Sequence, residues 1–195
     1  MLRQEDLDVL WDFTDPAASE SRLRLAAQSS EHRDELLTQV ARALGLQGRF
    51  DEAHELLDSL PNDHVRVPLE RGRLHNSAGD PALAIPFFRE AAEHATGFLK
   101  VDALHMLAIA DQANAAEWTR AGLDAVAASD DPRTKRWATS LHNNYGWTLH
   151  AAGDLAGALR SFESALDVAV TDQQRQYAAE AIAEITEELG ALRPE

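Results

Sequence analysis

The fold of this 195-residue chain is decided by residues 139–169, which read Thr-Ser-Leu-His-Asn-Asn-Tyr-Gly-Trp-Thr-Leu-His-Ala-Ala-Gly-Asp-Leu-Ala-Gly-Ala-Leu-Arg-Ser-Phe-Glu-Ser-Ala-Leu-Asp-Val-Ala. One helical face precedes Gly153 and consists of His142, Tyr145, Gly146 and Leu149. A second helical face follows it and consists of Ala158, Phe162 and Ala165. Because the turn between the two predicted helices is short, they must pack antiparallel.

The turn of this helix pair carries residues suited to ending one helix and starting the next. Gly153 can adopt the left-handed conformation that ends a helix, and Asp154 can cap the following one. We expect the small residues Gly146 and Ala158 to lie where the helices cross. The aromatic ring of Phe162 would then fill the wider space beside that crossing, together with the ring of Tyr145.

The pattern resembles the tetratricopeptide repeat, a 34-residue pair of helices. The small residue, turn glycine, alanine, aromatic residue and second alanine of that family fall here on Gly146, Gly153, Ala158, Phe162 and Ala165. Val170 stands where the family often has proline. The resemblance implies a right-handed superhelical solenoid of antiparallel helix pairs, whose first helices line a concave groove that binds a peptide or helix of another protein.

The same spacing recurs elsewhere in the chain, which is the strongest signal in the sequence. The spacing occurs at Ala41, Gly48, Ala53 and Leu57, and again at Gly72, Gly79, Ala84, Phe88 and Ala91. We therefore predict one all-α domain over 1–195 with about ten or eleven helices. Its parts are a degenerate repeat at 1–29, repeats at 34–60, 65–96, 98–129 and 134–171, and a capping helix at 172–190.

Several boundaries follow from individual residues. Pro68 predicts that the first helix of repeat 65–96 starts at Pro68 and not at Val65. Pro86 predicts a kink inside the second helix, because proline there removes a hydrogen bond and costs about 3 kcal/mol. No glycine marks the turn of repeat 98–129, which is expected at 111–114. The tail at 193–195 is expected to be frayed.

Composition narrows the functional classes. The formal net charge of −15 disfavours binding to nucleic-acid phosphates. No apolar run approaches the roughly 18 residues of a membrane span, and the acidic N-terminus lacks the apolar segment of a signal peptide. Without cysteine there is no disulfide framework or thiolate nucleophile. We expect a cytoplasmic protein that binds neither nucleic acid nor membrane.

Motifs for catalysis are missing from the sequence. The eight histidines lack metalloprotease spacing, and neither a phosphate-binding Gly-rich loop nor a nucleophile turn occurs. Acidic pairs such as Asp51-Glu52 and Glu187-Glu188 fall on predicted outer faces. We expect no cofactor, no metal and no catalytic residue.

By the resemblance, the groove-facing places include Thr38, Leu69, Ile109 and Ser140, with Arg66 as a further candidate. The residues expected to contact a ligand are Arg42, Arg73, Asn76, His105, Asn143, Asn144, Trp147 and His150. These side chains are richer in Arg, Asn and His than in carboxylates, which indicates a groove for an acidic segment or a terminal carboxylate. Asn144 also matches an asparagine with which some family members grip such a carboxylate. The lysines of that clamp are absent.

Other interpretations remain open at this stage. Arg42 and Arg73 could be ordinary solvated helix residues. Trp147 could be a binding anchor or could pack under the following repeat. The protein could be a monomer that holds a partner, a self-associating homodimer, or a regulatory subunit of a larger complex.

Overall fold

The computed structural model describes residues 2, 4–61 and 64–191, and every regular element in that part of the chain is helical. The α-helices are α1 Gln4–Asp8, α2 Pro16–Ala27, α3 Arg33–Leu46, α4 Phe50–Asp58, α5 Arg66–Ser77, α6 Pro81–His94, α7 Gly97–Ala110, α8 Ala115–Ala127, α9 Pro132–Lys135, α10 Trp137–Ala151, α11 Leu155–Asp167 and α12 Asp172–Ala191. A 3₁₀ helix, Gln112–Asn114, lies between α7 and α8. None of these described helices has both the length and the apolar character needed to cross a membrane. The all-α prediction is therefore confirmed.

The chain forms two compact units that divide between His94 and Ala95. In the first unit, α3 packs against α2, α4 and α5, and α5 packs against α6. Its core joins leucine and alanine side chains from α1 to α5. Leu7, on the short α1, is fully buried there.

The second unit is built around α10. This helix packs against α7, α8 and α11, and α11 in turn packs against α12. One buried cluster contains Val101, Val126, Ala138 and Leu141. Another contains Leu155, Ala158, Phe162, Ala181 and Ile185, and so ties the last helix to α11. The glutamates on the other side of α12 are exposed, as predicted for a polar outer face.

The same type of turn joins the two helices in three helix pairs. Gly48, Gly79 and Gly153 have φ angles of 74°, 91° and 80°. In each turn the residue after the glycine donates its N–H to the carbonyl five residues earlier, as Asp154 does to Leu149 at 2.9 Å. This is the Schellman arrangement, in which a glycine in the left-handed region lets the chain close onto the end of the helix.

Close approach of two helices occurs at Gly72 and at Gly146. A Cβ atom at Gly72 would lie 2.5 Å from the ring of Phe88, and one at Gly146 would lie 2.6 Å from the ring of Phe162. The tightest neighbour of Gly146 is thus an aromatic ring, whereas the sequence led us to expect the small residue Ala158. The glycine makes room for the largest side chain of the facing helix.

The turn of repeat 98–129 lies where it was predicted, although it has no glycine. Asp111 is buried and accepts hydrogen bonds from the side chains of Asn114 and Trp118. Its carboxylate thereby organises this 3₁₀ turn, which stands where the three other helix pairs have a glycine turn. Further along, Asp131 accepts the backbone N–H groups of Arg133 and Thr134 and starts α9 at Pro132.

One helix boundary was predicted wrongly. Helix α5 begins at Arg66, so Pro68 lies within its first turn. The first N–H groups of a helix have no partner inside it, and a proline there removes no hydrogen bond. Helix α6 continues through Pro86 as one helix, and the kink expected there stays a prediction. The tail at 193–195 lies outside the described residues.

Candidate functional site

The guanidinium group of Arg42 lies against two aromatic rings of the N-terminal segment. Its guanidinium carbon lies 5.6 Å from the ring centre of Trp11 and 5.3 Å from that of Phe13. The two rings stack 4.9 Å apart and are nearly parallel. Such contacts between a cation and aromatic faces are attractive. The segment that follows α1 therefore covers this predicted groove residue.

Arg73 pairs with a carboxylate of its own helix. It donates to Oε1 of Glu70 at 2.7 Å, and Gln39 of α3 donates to the same oxygen at 3.2 Å. Trp11 donates its indole N–H to Gln39, which extends the chain of contacts to the N-terminal segment. Glu70 is fully buried. Asn76, the third predicted residue of the first unit, is half-buried.

Arg66 forms the second ion pair of this region. Its Nε donates to Glu35 at 3.0 Å. The side chains of Arg66 and Glu35 are only 5% and 3% exposed. The other oxygen of Glu35 accepts the backbone N–H of Leu2 at 2.6 Å, and Arg66 also donates to Gln4. In the first unit, the arginines of α3 and α5 thus hold the chain's own carboxylates and its own N-terminal segment.

Sequence reasoning missed the carboxylates Glu35 and Glu70. A signal was available, because Glu35 and Arg66 occupy the same place in two successive repeats, as do Gln39 and Glu70. Equivalent places on neighbouring helices lie side by side when repeats stack. Comparing those places for opposite charge would have predicted the pair.

In the second unit, His105 and Asn144 join α7 to α10. Their side chains lie within hydrogen-bond distance through the Asn144 amide and Nε2 of His105. The His105 ring also lies 4.9 Å from the ring of Trp137. Asn144, proposed from the resemblance as a carboxylate grip, is thus engaged by a neighbouring helix in this structure.

Trp147 combines packing with exposure. Its ring meets that of Phe162 edge to face at 4.9 Å, yet 38% of the residue remains exposed. His150 lies beside it, and Nε2 of His150 is 2.8 Å from a carboxylate oxygen of Glu188 on α12. Asn143 is half-buried on the same helix. Phe162 belongs to the same repeat as Trp147, so both alternatives for Trp147, a binding anchor and packing under the following repeat, stay predictions.

A cleft of about 180 Å³ lies in the second unit near the first residues of α7, α10 and α12. We call it the Arg133 cleft, and its lining residues are Phe98, Arg133, Arg136, Trp137, Ser140 and Gln174. The rings of Phe98 and Trp137 meet at 5.6 Å, and the Arg133 guanidinium lies 5.8 Å from the Phe98 ring. Ser140 was predicted to face the groove, whereas the other lining residues come from places that the repeat pattern does not single out.

Two histidines have pKa values lowered by their surroundings. Burial lowers the pKa of His54, and the neighbouring His75 lowers it further. Burial alone lowers the pKa of His142. Within the described part of the chain, no group of three or more His, Asp or Glu residues is arranged to hold a metal ion. Neither a protein-family model nor a curated protein matches this chain.

Proposed function

We propose that this protein is a non-catalytic interaction module of the tetratricopeptide-repeat kind, which binds an acidic peptide segment of another protein at the Arg133 cleft. The observation that carries the proposal is the composition of that cleft. Two arginines stand beside two aromatic rings in a chain whose formal net charge is −15. Arginine offers a planar fork of donors for a carboxylate, and aromatic rings are common anchors in interfaces.

The repeat assignment is supported by features that recur at family spacing. The Schellman turns at Gly48, Gly79 and Gly153 are alike, and the glycine-to-ring approach at Gly72 matches that at Gly146. Repetition of both features is what stacked helix pairs require. The proposed architecture is therefore a stack of antiparallel helix pairs within each of the two units.

Contacts in the first unit favour the second unit as the binding face. Arg42 lies against Trp11 and Phe13, and Arg73 is paired with the buried Glu70. A ligand would have to displace these internal partners before it could use either arginine. Arg136 is exposed at the rim of the Arg133 cleft, so a carboxylate can reach it without such an exchange.

Affinity capture from the native cell lysate tests the proposal, with bound proteins identified by mass spectrometry. The wild-type protein is compared with an Arg133→Gln, Arg136→Gln variant and with an Arg89→Gln variant, which removes one exposed arginine of the first unit. We expect a partner with an acidic segment that is lost only with the first variant. Equal folding of all three proteins is checked by circular dichroism.

A synthetic peptide of the captured acidic segment then gives the affinity by fluorescence anisotropy. We expect the double variant to weaken binding by at least about tenfold, since each charge-assisted hydrogen bond contributes roughly 1.5–3 kcal/mol. Binding should also weaken with added salt. Unchanged binding by the double variant would reject this site. Asn143→Ala and Trp147→Ala test whether the peptide extends over the predicted groove residues of α10.

An empty capture would instead favour the self-association alternative, provided that light scattering finds a dimer whose fraction rises with protein concentration. The acidic surface opposes contact between like copies, so such a dimer would need an apolar interface. A partner-bound monomer and a homodimer are thus separated by the same pair of measurements.

A further inference from the structure

A larger cleft lies in the second unit between α8 and α11, and α10 forms its floor. We call it the Arg160 cleft. Its volume is about 390 Å³, within the range of roughly 300–1,000 Å³ typical of small-molecule sites. Its lining includes Thr119 and Arg120 of α8, Tyr145 and Leu149 of α10, and Arg160 and Ser161 of α11.

The cleft lies where side chains without rings stand at the places of rings in the first unit. In the first unit, the rings of His54, His75 and Phe87 lie together, with centres 4.8 and 5.3 Å apart, and so link α4, α5 and α6. Ser161 precedes Phe162 just as Phe87 precedes Phe88, and it lines the cleft where that ring would stand. Leu149 likewise stands at the place of His75. The second unit thus lacks the stack and keeps an opening.

A buried hydroxyl group lies in the wall of this opening without a partner. Thr119 is only 3% exposed, and its Oγ1 makes no hydrogen bond in the structure. Buried polar groups are nearly always paired, because leaving one unsatisfied costs about 1–3 kcal/mol. Rotation of the side chain about its first torsion angle would bring this hydroxyl to the surface of the cleft that Thr119 lines, where an oxygen acceptor on a bound molecule would satisfy it.

The charged side chains of the cleft favour a negatively charged ligand. Arg120 and Arg160 extend from opposite walls, and both are exposed. Asp154 also lines the cleft, but its Oδ1 accepts the N–H of Gly157 at 2.8 Å and caps α11. Two guanidinium groups against one engaged carboxylate leave a positive balance, which suits an anion.

We propose that the Arg160 cleft binds a small organic carboxylate with an apolar body about the size of an aromatic ring system. The carboxylate lies between Arg120 and Arg160 and accepts a hydrogen bond from Thr119. The apolar body packs against Leu149 and the ring of Tyr145, in the space that Phe87 and His75 fill in the first unit.

This site is independent of the proposed peptide site. Tyr145 and Leu149 face the Arg160 cleft, whereas Trp137 and Ser140 line the Arg133 cleft. Their spacing along α10 places the two sets on different sides of the helix. Failure of peptide binding therefore leaves the carboxylate site standing, and the reverse also holds.

Isothermal titration of the full-length protein with 2-naphthoate tests the inference, and 2-naphthamide serves as the uncharged counterpart. We expect wild-type protein to bind the carboxylate with a dissociation constant below about 1 mM and the amide at least about tenfold more weakly. Arg160→Gln should weaken carboxylate binding about tenfold. Thr119→Val, which keeps the shape and removes the hydroxyl, should weaken it severalfold. Arg89→Gln should leave it unchanged.

The deciding variant is Ser161→Phe, which restores the ring of the first unit and fills the cleft. It should abolish binding of 2-naphthoate while circular dichroism remains that of a folded protein. If this variant does not fold, Arg120→Gln combined with Arg160→Gln replaces it, because both side chains are exposed and their loss leaves the core intact. Absence of wild-type binding, or equal binding by the cleft variant, overturns the inference.

Discussion

Replacing Gly146 with alanine would place a Cβ atom 2.6, 2.7 and 2.9 Å from three carbons of the Phe162 ring. These separations are well below the 3.5–4.0 Å of favourable carbon contacts. The ring is fully buried and is flanked by Trp147, so it has little room to retreat. Overpacking of this kind costs about 1–3 kcal/mol. Alanine regains up to about 1 kcal/mol through its higher helix propensity. When this gain applies in full, the net loss is about 0–2 kcal/mol.

Urea unfolding followed by far-ultraviolet circular dichroism measures this loss. Gly190→Ala is the matched control, because Gly190 also lies in a helix but has nothing within 4 Å of its Cβ position. That variant should be as stable as wild type or slightly more stable. In a double-mutant cycle with Phe162→Leu, the cost of Gly146→Ala should shrink, since leucine leaves more room. A Gly146→Ala protein as stable as the Gly190→Ala protein would refute the close approach.

Three further predictions concern the turn, a histidine and a buried carboxylate. Gly153→Ala should cost about 1–2 kcal/mol, measured by urea unfolding, because Gly153 has a φ of 80°. Burial lowers the pKa of His142, so the unfolded chain binds its proton more readily. Stability should therefore be intact above pH 6.5 and fall as the pH drops below it. His142→Gln should reduce this fall in the free energy of unfolding and leave the part that the lowered pKa of His54 contributes. Glu70→Ala should cost about 3 kcal/mol in thermal or urea unfolding, because it removes the buried carboxylate to which both Arg73 and Gln39 donate.

Each of these predictions has a control that separates it from a general effect of mutation. Gly48→Ala should repeat the cost of the turn variant, since its φ of 74° is nearly the same. His94→Gln, at an exposed position, should leave the pH profile unchanged. Glu90→Ala removes an exposed glutamate and should shift stability by less than about 0.5 kcal/mol. Equal losses from the exposed and the buried glutamate would contradict the role of the ion pair.

Much of the secondary structure was predictable because it depends on local chemistry. Gly48, Gly79 and Gly153 indicated their turns in the sequence, and Asp154 indicated the start of α11. Periodic apolar residues then defined the buried faces. The start of α5 was misjudged because proline restricts the residue before it, yet the first turn of a helix tolerates both.

The candidate sites were less predictable, because they depend on which side chains meet across helices. The repeat pattern placed Arg42 and Arg73 on a common face. It could not reveal that Arg42 contacts the ring of Trp11 and that Arg73 pairs with Glu70. Likewise, the Arg160 cleft arises from the absence of a ring at Ser161. A cleft left by a small side chain cannot be predicted from the sequence until the positions of the neighbouring side chains are known.

The sequence by itself determined the helices, their turns and their buried faces, since spacing, capping and glycine conformation act over a few residues. Only the tertiary structure decided that Gly146 faces the ring of Phe162, that the N-terminal segment covers Arg42, and that Thr119 lines an open cleft. The physical reason is that burial, ion pairing and cavity volume depend on atoms distant in sequence. Their energies are set only when the helices pack together.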